Sequence, residues 1–349
     1  MSGRRVVITG GLGLLGRRIL QQLIMLPAGS GRRAVRAVDV LIIDKTPVDD
    51  TQAESSAGVV IGCDSTTRDD VSIVHGELDG ADARSAIQEF AARGGGGAPG
   101  DEALSFFHLA SVMSGQGETD FDEALRVNVE GTASLLKTCR EIGGRPRFVF
   151  ASSIAAFGGG VKASDETKLL PQTTYGMTKA CAELLVNDCT RKGFVDGRIV
   201  RLPTVIVRPG PPNPAATGCF SSVPKAILNG KHFVSPVSPD VPHPCIGVSA
   251  AVRGLLCLHD ASEEEMGRGD RAVTLPSVSL SLRDLEHAAI LLAREMGRSP
   301  GTVSYEPDKA VESVVAAFPQ VVQESKRARN LGLRANAGAR EMMMEYVSQ

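Results

Sequence analysis

The stretch "RVVITGGLGLLGRRIL" (Arg5–Leu20) constrains this 349-residue chain more than any other. It sets Gly10, Gly13 and Gly16 between an apolar strand pattern, Arg5–Gly10, and a helical pattern, Leu14–Leu26. A glycine at Gly10 permits a tight turn, Gly13 lets the backbone approach a diphosphate, and Gly16 lets helix and strand pack closely. Leu14 and Leu15 open the helix, whose free N–H groups and positive dipole end suit phosphate. Three glycines alone are a weak signal, but this loop has a partner in Asp44, which closes the second strand pattern, "LIID". A carboxylate there accepts hydrogen bonds from ribose hydroxyls and repels a 2′-phosphate, which points to NAD rather than NADP. "PAGSGRRAV" lengthens the connection before that strand. Arg4, Arg17 and Arg18 are read as solvated.

Downstream, short apolar runs alternate with longer helical patterns. The strand candidates are Val38–Lys45, Val71–Leu78, Leu104–Ser111, Arg147–Ser153 and Gly197–Ile206; the long helices are Asp120–Gly143 and Thr173–Gly193. Strands this apolar, separated by helices, make a parallel sheet covered on both faces. The fold class is therefore α/β, a Rossmann-type doubly wound parallel sheet with a smaller C-terminal α/β region that binds substrate. Residues 1–207 form the dinucleotide-binding part, to which 246–276 return; 208–245 and 277–349 form the second region. Pro47–Asp70 and Arg93–Asp101 are surface insertions.

Composition excludes several classes. Net charge is −2, no basic run breaks the mixture and Trp is absent, which argues against nucleic acid and membrane-surface partners. No apolar run approaches the ~18 residues of a membrane span, and the apolar start is cut by glycines, unlike a secretory leader. The seven cysteines are odd in number and lack C-x-x-C spacing, so they are expected as thiols in a cytoplasmic protein with no metal site.

The chemistry is carried by "ASS" (Ala151–Ser153) at the end of the fifth strand and "YGMTK" (Tyr175–Lys179) on the next helix. Tyr175 and Lys179, four apart, share a helix face. An ammonium beside a phenol is expected to lower its pKa from about 10 toward working pH, making a base for a substrate alcohol. A serine hydroxyl can hold the same oxygen. A buried interfacial aromatic is the plainer alternative for Tyr175.

The glycine loop, the serine after a strand and the Tyr-x-x-x-Lys that follows, in this chain order, resemble the extended branch of the short-chain dehydrogenase/reductase superfamily. "HLAS" (His108–Ser111) and "NVEGT" (Asn128–Thr132) extend the resemblance over nearly the whole chain. It implies Ser153 rather than Ser152 as the catalytic serine, with Tyr175, Lys179 and Asn128, the last shaping the helix and supporting a proton relay. It also implies cofactor contacts from Glu77, Leu78, Leu109, Ala110, Pro203 and Val205, a second role for Tyr175 and Lys179 at the nicotinamide ribose, and a homodimer built on the two long helices. His108 is better read as a packed imidazole than as a catalyst. Where nucleotide-sugar members carry Arg-x-x-Asn, this chain has "RLPT", with Thr204 in place of the Asn. Long stretches, "SGQGETDFDEALRVNVEGT" and "TVIVRPGPPN" among them, are similar instead to the D-erythronate dehydrogenases. That resemblance implies NAD-dependent oxidation of the 2-hydroxyl of a small sugar acid. Arg208 is then a candidate for the carboxylate, or equally a structural ion pair, and Ser114 and Ser153 join Tyr175 at the substrate. A nucleotide-sugar epimerase with tightly held NAD, or a non-catalytic NAD sensor, are the alternatives.

Overall fold

The computed structural model describes residues 4–25, 37–46, 71–93, 104–210 and 215–348. The expected insertions, Arg93 apart, lie outside these residues, as does Cys63.

Strand β1 (Arg4–Thr9) leads through the glycine loop to helix α1 (Leu14–Met25), and β2 (Ala37–Asp44) follows. Next come β3 (Val71–His75), α2 (Ala81–Ala92), β4 (Ser105–His108) and the short helices α3 (Ser114–Thr119) and α4 (Phe121–Leu125). A π turn, Arg126–Glu130, joins α4 to α5 (Gly131–Ile142), so the single helix expected from the periodicity is kinked in register. Then follow β5 (Arg147–Ser153), β6 (Lys162–Ala163), α6 (Thr174–Arg191), β7 (Asp196–Leu202) and β8 (Thr204–Ile206). The remainder runs α7 (Cys219–Leu228), β9 (His232–Ser235), β10 (His243–Gly247), α8 (Val248–Asp260), α9 (Glu263–Met266) and β11 (Ala272–Thr274). It ends with β12 (Val278–Leu280), α10 (Leu282–Glu295), β13 (Thr302–Tyr305), α11 (Lys309–Ala316), β14 (Val321–Val322), α12 (Lys326–Asn330) and α13 (Ala339–Val347).

Seven strands form one sheet in the order β11-β7-β5-β4-β1-β2-β3, and every pairing is parallel. Alternation along β1 builds two layers of core. Val6 and Ile8 face Ile19, Leu20 and Leu23 of α1 and Leu255 and Leu258 of α8. Val7 faces the other way, with Leu41 and Ile43, toward Ile87 and Phe90 of α2, Leu135 of α5 and Val186 of α6. A third core lies outside the sheet, where Phe220, Val223 and Ile227 of α7 meet Leu282, Leu285 and Ala289 of α10 and Met343 of α13.

The sixth strand is not continuous. β7 stays in the large sheet, whereas β8 leaves it to pair with β10. Pro203 stands at the break, with no N–H to continue the ladder. Helix α7 carries Pro224 within it. Among the described residues no helix is long and apolar enough to cross a membrane. Strand order reverses at β1, and the open crevice of such a sheet lies beyond the carboxyl ends of the strands on either side.

Candidate active site

The glycine loop is held in shape by the backbone. Gly10 has φ +68°, its N–H donates to Ile43 O at 2.8 Å, and Gly13 N–H donates to Gly10 O at 3.1 Å. A Cβ at Gly10 would come within 2.7 Å of Ala110 N, one at Gly11 within 2.7 Å of Ile42, and one at Gly16 within 2.5 Å of Gly11 Cα. Gly16 thus packs the helix onto the loop itself. At Gly13 the only near atom would be Gly10 O, at 3.2 Å, so that face opens into the crevice. Asp44 joins the loop to the end of β2: Oδ2 accepts from Leu12 N–H at 3.0 Å and Oδ1 from Thr46 N–H at 2.9 Å. Each carboxylate oxygen keeps a lone pair for another donor. Arg17 clasps the loop, Nε donating to Leu12 O at 2.7 Å, rather than standing in solvent.

A cavity of about 460 Å³ opens at this reversal point. Gly10, Gly13, Leu14, Leu15, Gly16, Asp44, Glu77, Leu78, Leu109 and Ala110 line one end; Pro203, Val205, Lys179, Tyr175, Ser153, Ser114 and Arg208 line the other. Asn128 is not on its wall. It sits in the π turn, 2 % exposed, and its amide is consumed by Val112, Ser111 and Thr178. Asn128 therefore fixes the loop after β4 against α6, and makes no bond to Tyr175 or Lys179. Glu77 turns its carboxylate to Arg126 at 3.4 Å, in a cluster that includes Glu123 and Asp79.

Ser153 and Tyr175 are brought together by local structure. Ser153 closes β5, and its Oγ accepts from Ala155 N–H at 3.1 Å, starting a single helical turn. Thr173 caps α6 by accepting from Gly176 N–H at 2.9 Å. A Cβ at Gly176 would stand 2.4 Å from Ala155 O, so only glycine lets the start of α6 lie on that turn. Burial pushes the Tyr175 phenol up to about 12, against the pull of a hydrogen bond from Ser153 and the charge of Arg208. This is opposite in sign to the depression expected from the sequence. Lys179 is not among the groups that move it. Lys179 is 2 % exposed, its Nζ donates to Ala151 O at 2.9 Å, and it lies 5.7 Å from the centre of the Tyr175 ring. Burial brings the amine down to about 7, with Glu183 pulling the other way. His108 is neutral, pushed down to about 3 by burial, and its two ring nitrogens are held by Thr9 and Thr132 at 2.7 and 2.8 Å.

Arg208 is another cation on the cavity wall. Its backbone N–H donates to Ser221 Oγ at 3.4 Å, and burial lowers its pKa. Among the described residues no carboxylate pairs with its guanidinium. Ser114 Oγ accepts from Ala216 N–H at 3.3 Å. Sequence reasoning missed Ser152, whose hydroxyl donates to Glu183 at 2.5 Å, and Arg201, which grips the same carboxylate at 2.6 Å. It also missed Phe318, which reaches the cavity from beyond α11. A spacing of four on α6, Lys179 to Glu183, was the available signal for the first; nothing local marks the last.

The model of the NAD dependent epimerase/dehydratase family matches residues 6–265. The chain belongs to that family. A D-erythronate dehydrogenase of Cupriavidus necator is 35% identical across 98% of this chain and 97% of its own length. A D-erythronate dehydrogenase of Haemophilus influenzae is 32% identical over 71% of this chain and 78% of that protein. Among solved structures, a nucleoside-diphosphate-sugar epimerase from Agrobacterium tumefaciens matches with a TM-score of 0.81 and 28% identity, covering 100% of this chain and 95% of that one. The protein is accordingly an NAD-dependent enzyme of the oxidoreductase class, with the Rossmann-type parallel sheet of the family. The residues present fit NAD: the loop at Gly13 is open where a diphosphate would lie, and Asp44 retains acceptor capacity at the end of β2.

Proposed function

We propose that this family member oxidises the 2-hydroxyl of a small sugar acid, D-erythronate first, to the 2-oxo acid. The observation that carries the reading is Arg208: a partly buried cation, unpaired with any carboxylate among the described residues, in the same cavity as Ser153 and Tyr175. A guanidinium so placed suits a carboxylate, which it can bind through two parallel bonds. The names of the D-erythronate dehydrogenase relatives agree with that chemistry.

Bound NAD⁺ supplies a hydride acceptor. The chain supplies the rest. Tyr175 Oη takes the proton of the 2-hydroxyl after its own has left. Ser153 holds the same oxygen through its hydroxyl. Lys179 donates to Ala151 O and lines the cavity, where it would hold a ribose hydroxyl of the dinucleotide. Arg208 holds the carboxylate and, by its charge, favours the deprotonated phenol. Residues 208–245 and 277–349 form the substrate region on a dinucleotide-binding part made of 1–207 and 246–276; Arg208, Thr217 and Phe318 line the cavity from that side. The enzyme pairs with a second copy through α4–α5 and α6. On α6, Met177, Cys181 and Leu184 stand at helical spacing on the outer face, with Leu184 66% exposed.

The test is a panel of four-carbon sugar acids, D-erythronate, L-threonate and D-threonate, each with NAD⁺, followed by NADH absorbance. NADH accumulation with D-erythronate supports the reading. Turnover of a nucleotide sugar alone, without net NADH, overturns it in favour of an epimerase.

A further inference from the structure

The break at Pro203 puts one more polar group on the cavity wall. Thr204 opens β8 and is 9 % exposed. β8 runs parallel to β10 with Thr204 opposite Cys245, so His243, two residues earlier on β10, lies diagonally across on the same face. Thr204 Oγ1 and His243 Nε2 are 2.6 Å apart. The imidazole is 1 % exposed and flanked by the Phe220 and Phe318 rings, whose centres lie 4.8 and 5.4 Å away. Burial pushes its pKa down to about 3, so it is neutral and its bond to Thr204 does not change across the working pH range.

A threonine hydroxyl has one donor and two acceptor positions. His243 takes one of these and holds the threonine side chain in place. No second protein partner of Oγ1 occurs among the described residues, and Thr204 lines the cavity. A hydroxyl with one protein partner keeps capacity for another, and Thr204 presents that capacity to the cavity. The reacting oxygen already has Ser153 and Tyr175, and a carboxylate already has Arg208.

We propose that Thr204, oriented by His243, is a specificity-determining residue that pairs with a further hydroxyl of the substrate, distinct from the one oxidised. The enzyme then selects polyhydroxylated acids over simple 2-hydroxy acids. This inference rests on the sugar-acid reading above and adds to it.

The test compares kcat/KM for D-erythronate with kcat/KM for 2-hydroxybutanoate of the same configuration at C2, at saturating NAD⁺, in wild type, Thr204→Val, Thr204→Ala and Thr204→Ser. A site built to bond a hydroxyl discriminates strongly against its absence. The wild type should prefer D-erythronate. Thr204→Val should shrink that preference by about tenfold or more, since the lost bond acts on one substrate alone. Thr204→Ala does the same in a smaller side chain and serves where the valine variant does not fold. Thr204→Ser, which keeps the hydroxyl, should hold the preference within about threefold of wild type. If both hydroxyl-free variants lower the two substrates alike, Thr204 is only structural and the proposal is overturned. If the wild type reduces NAD⁺ with neither acid, the sugar-acid reading itself fails and the proposal falls with it.

Discussion

At the residue scale the proposed chemistry turns on two buried groups with opposed titrations. Tyr175, pushed up to about 12, keeps its proton well past neutrality, while Lys179, brought down to about 7, loses its own near neutrality. A base must shed its proton before it can take another, so kcat/KM for oxidation should climb from pH 7 toward pH 10. Reduction of the 2-oxo acid uses the protonated phenol and should not climb over that window. Initial rates in both directions across the range check this, and a flat oxidative profile would remove Tyr175 as the base. Arg208 carries the second prediction at this scale. Arg208→Met should cut kcat/KM for the sugar acid by about 10- to 100-fold, mostly through KM, because a charge-assisted bond made in both ground and transition states is lost. Unchanged KM would show that the carboxylate is held elsewhere.

Among the elements, the contact that matters most is the one between the start of α6 and the turn after β5. Gly176→Ala would set a Cβ 2.4 Å from Ala155 O and force the helix away from Ser153. We expect kcat to fall at least about tenfold, since small misplacements of catalytic groups are costly, while affinity for NAD⁺, measured by titration calorimetry, moves far less. An equal loss in both would mean that the whole sheet edge has shifted. This glycine stands inside the very motif that made the site legible, yet its role is invisible in one dimension because its neighbour, Ala155, comes from another element. The same holds elsewhere. The glycine loop, the strands and the Tyr-x-x-x-Lys helix could be read from period and spacing, since each is a local pattern. Gly11 could not, because Ile42 of β2 sets its limit. Nor could the Thr204–His243 pair, whose two parts belong to strands far apart in sequence. Proline misled at one point: Pro203 splits a strand that hydropathy runs together. Asn128 was assigned by resemblance to shaping the helix and supporting a relay; its place in the π turn and its amide bonds to Val112 and Thr178 show the first of these in three dimensions.

For the whole molecule, the parallel sheet places the glycine loop and Arg208 on one cavity, and the outer face of α6 remains apolar at Leu184. Sedimentation should show a dimer that Leu184→Glu dissociates or weakens by at least about tenfold in Kd, as expected for a charge buried in an interface core. A wild-type monomer at micromolar concentration would refute the pairing. The central claim is narrower: the hydride leaves C2 of a sugar acid whose carboxylate and hydroxyls this cavity grips. The most direct measurement supplies D-erythronate carrying deuterium at C2 and follows the label by mass spectrometry of the reduced dinucleotide. Deuterium should appear in NADH in step with product, with a slower rate than for unlabelled substrate when chemistry limits turnover. NADH formed without deuterium would contradict that claim.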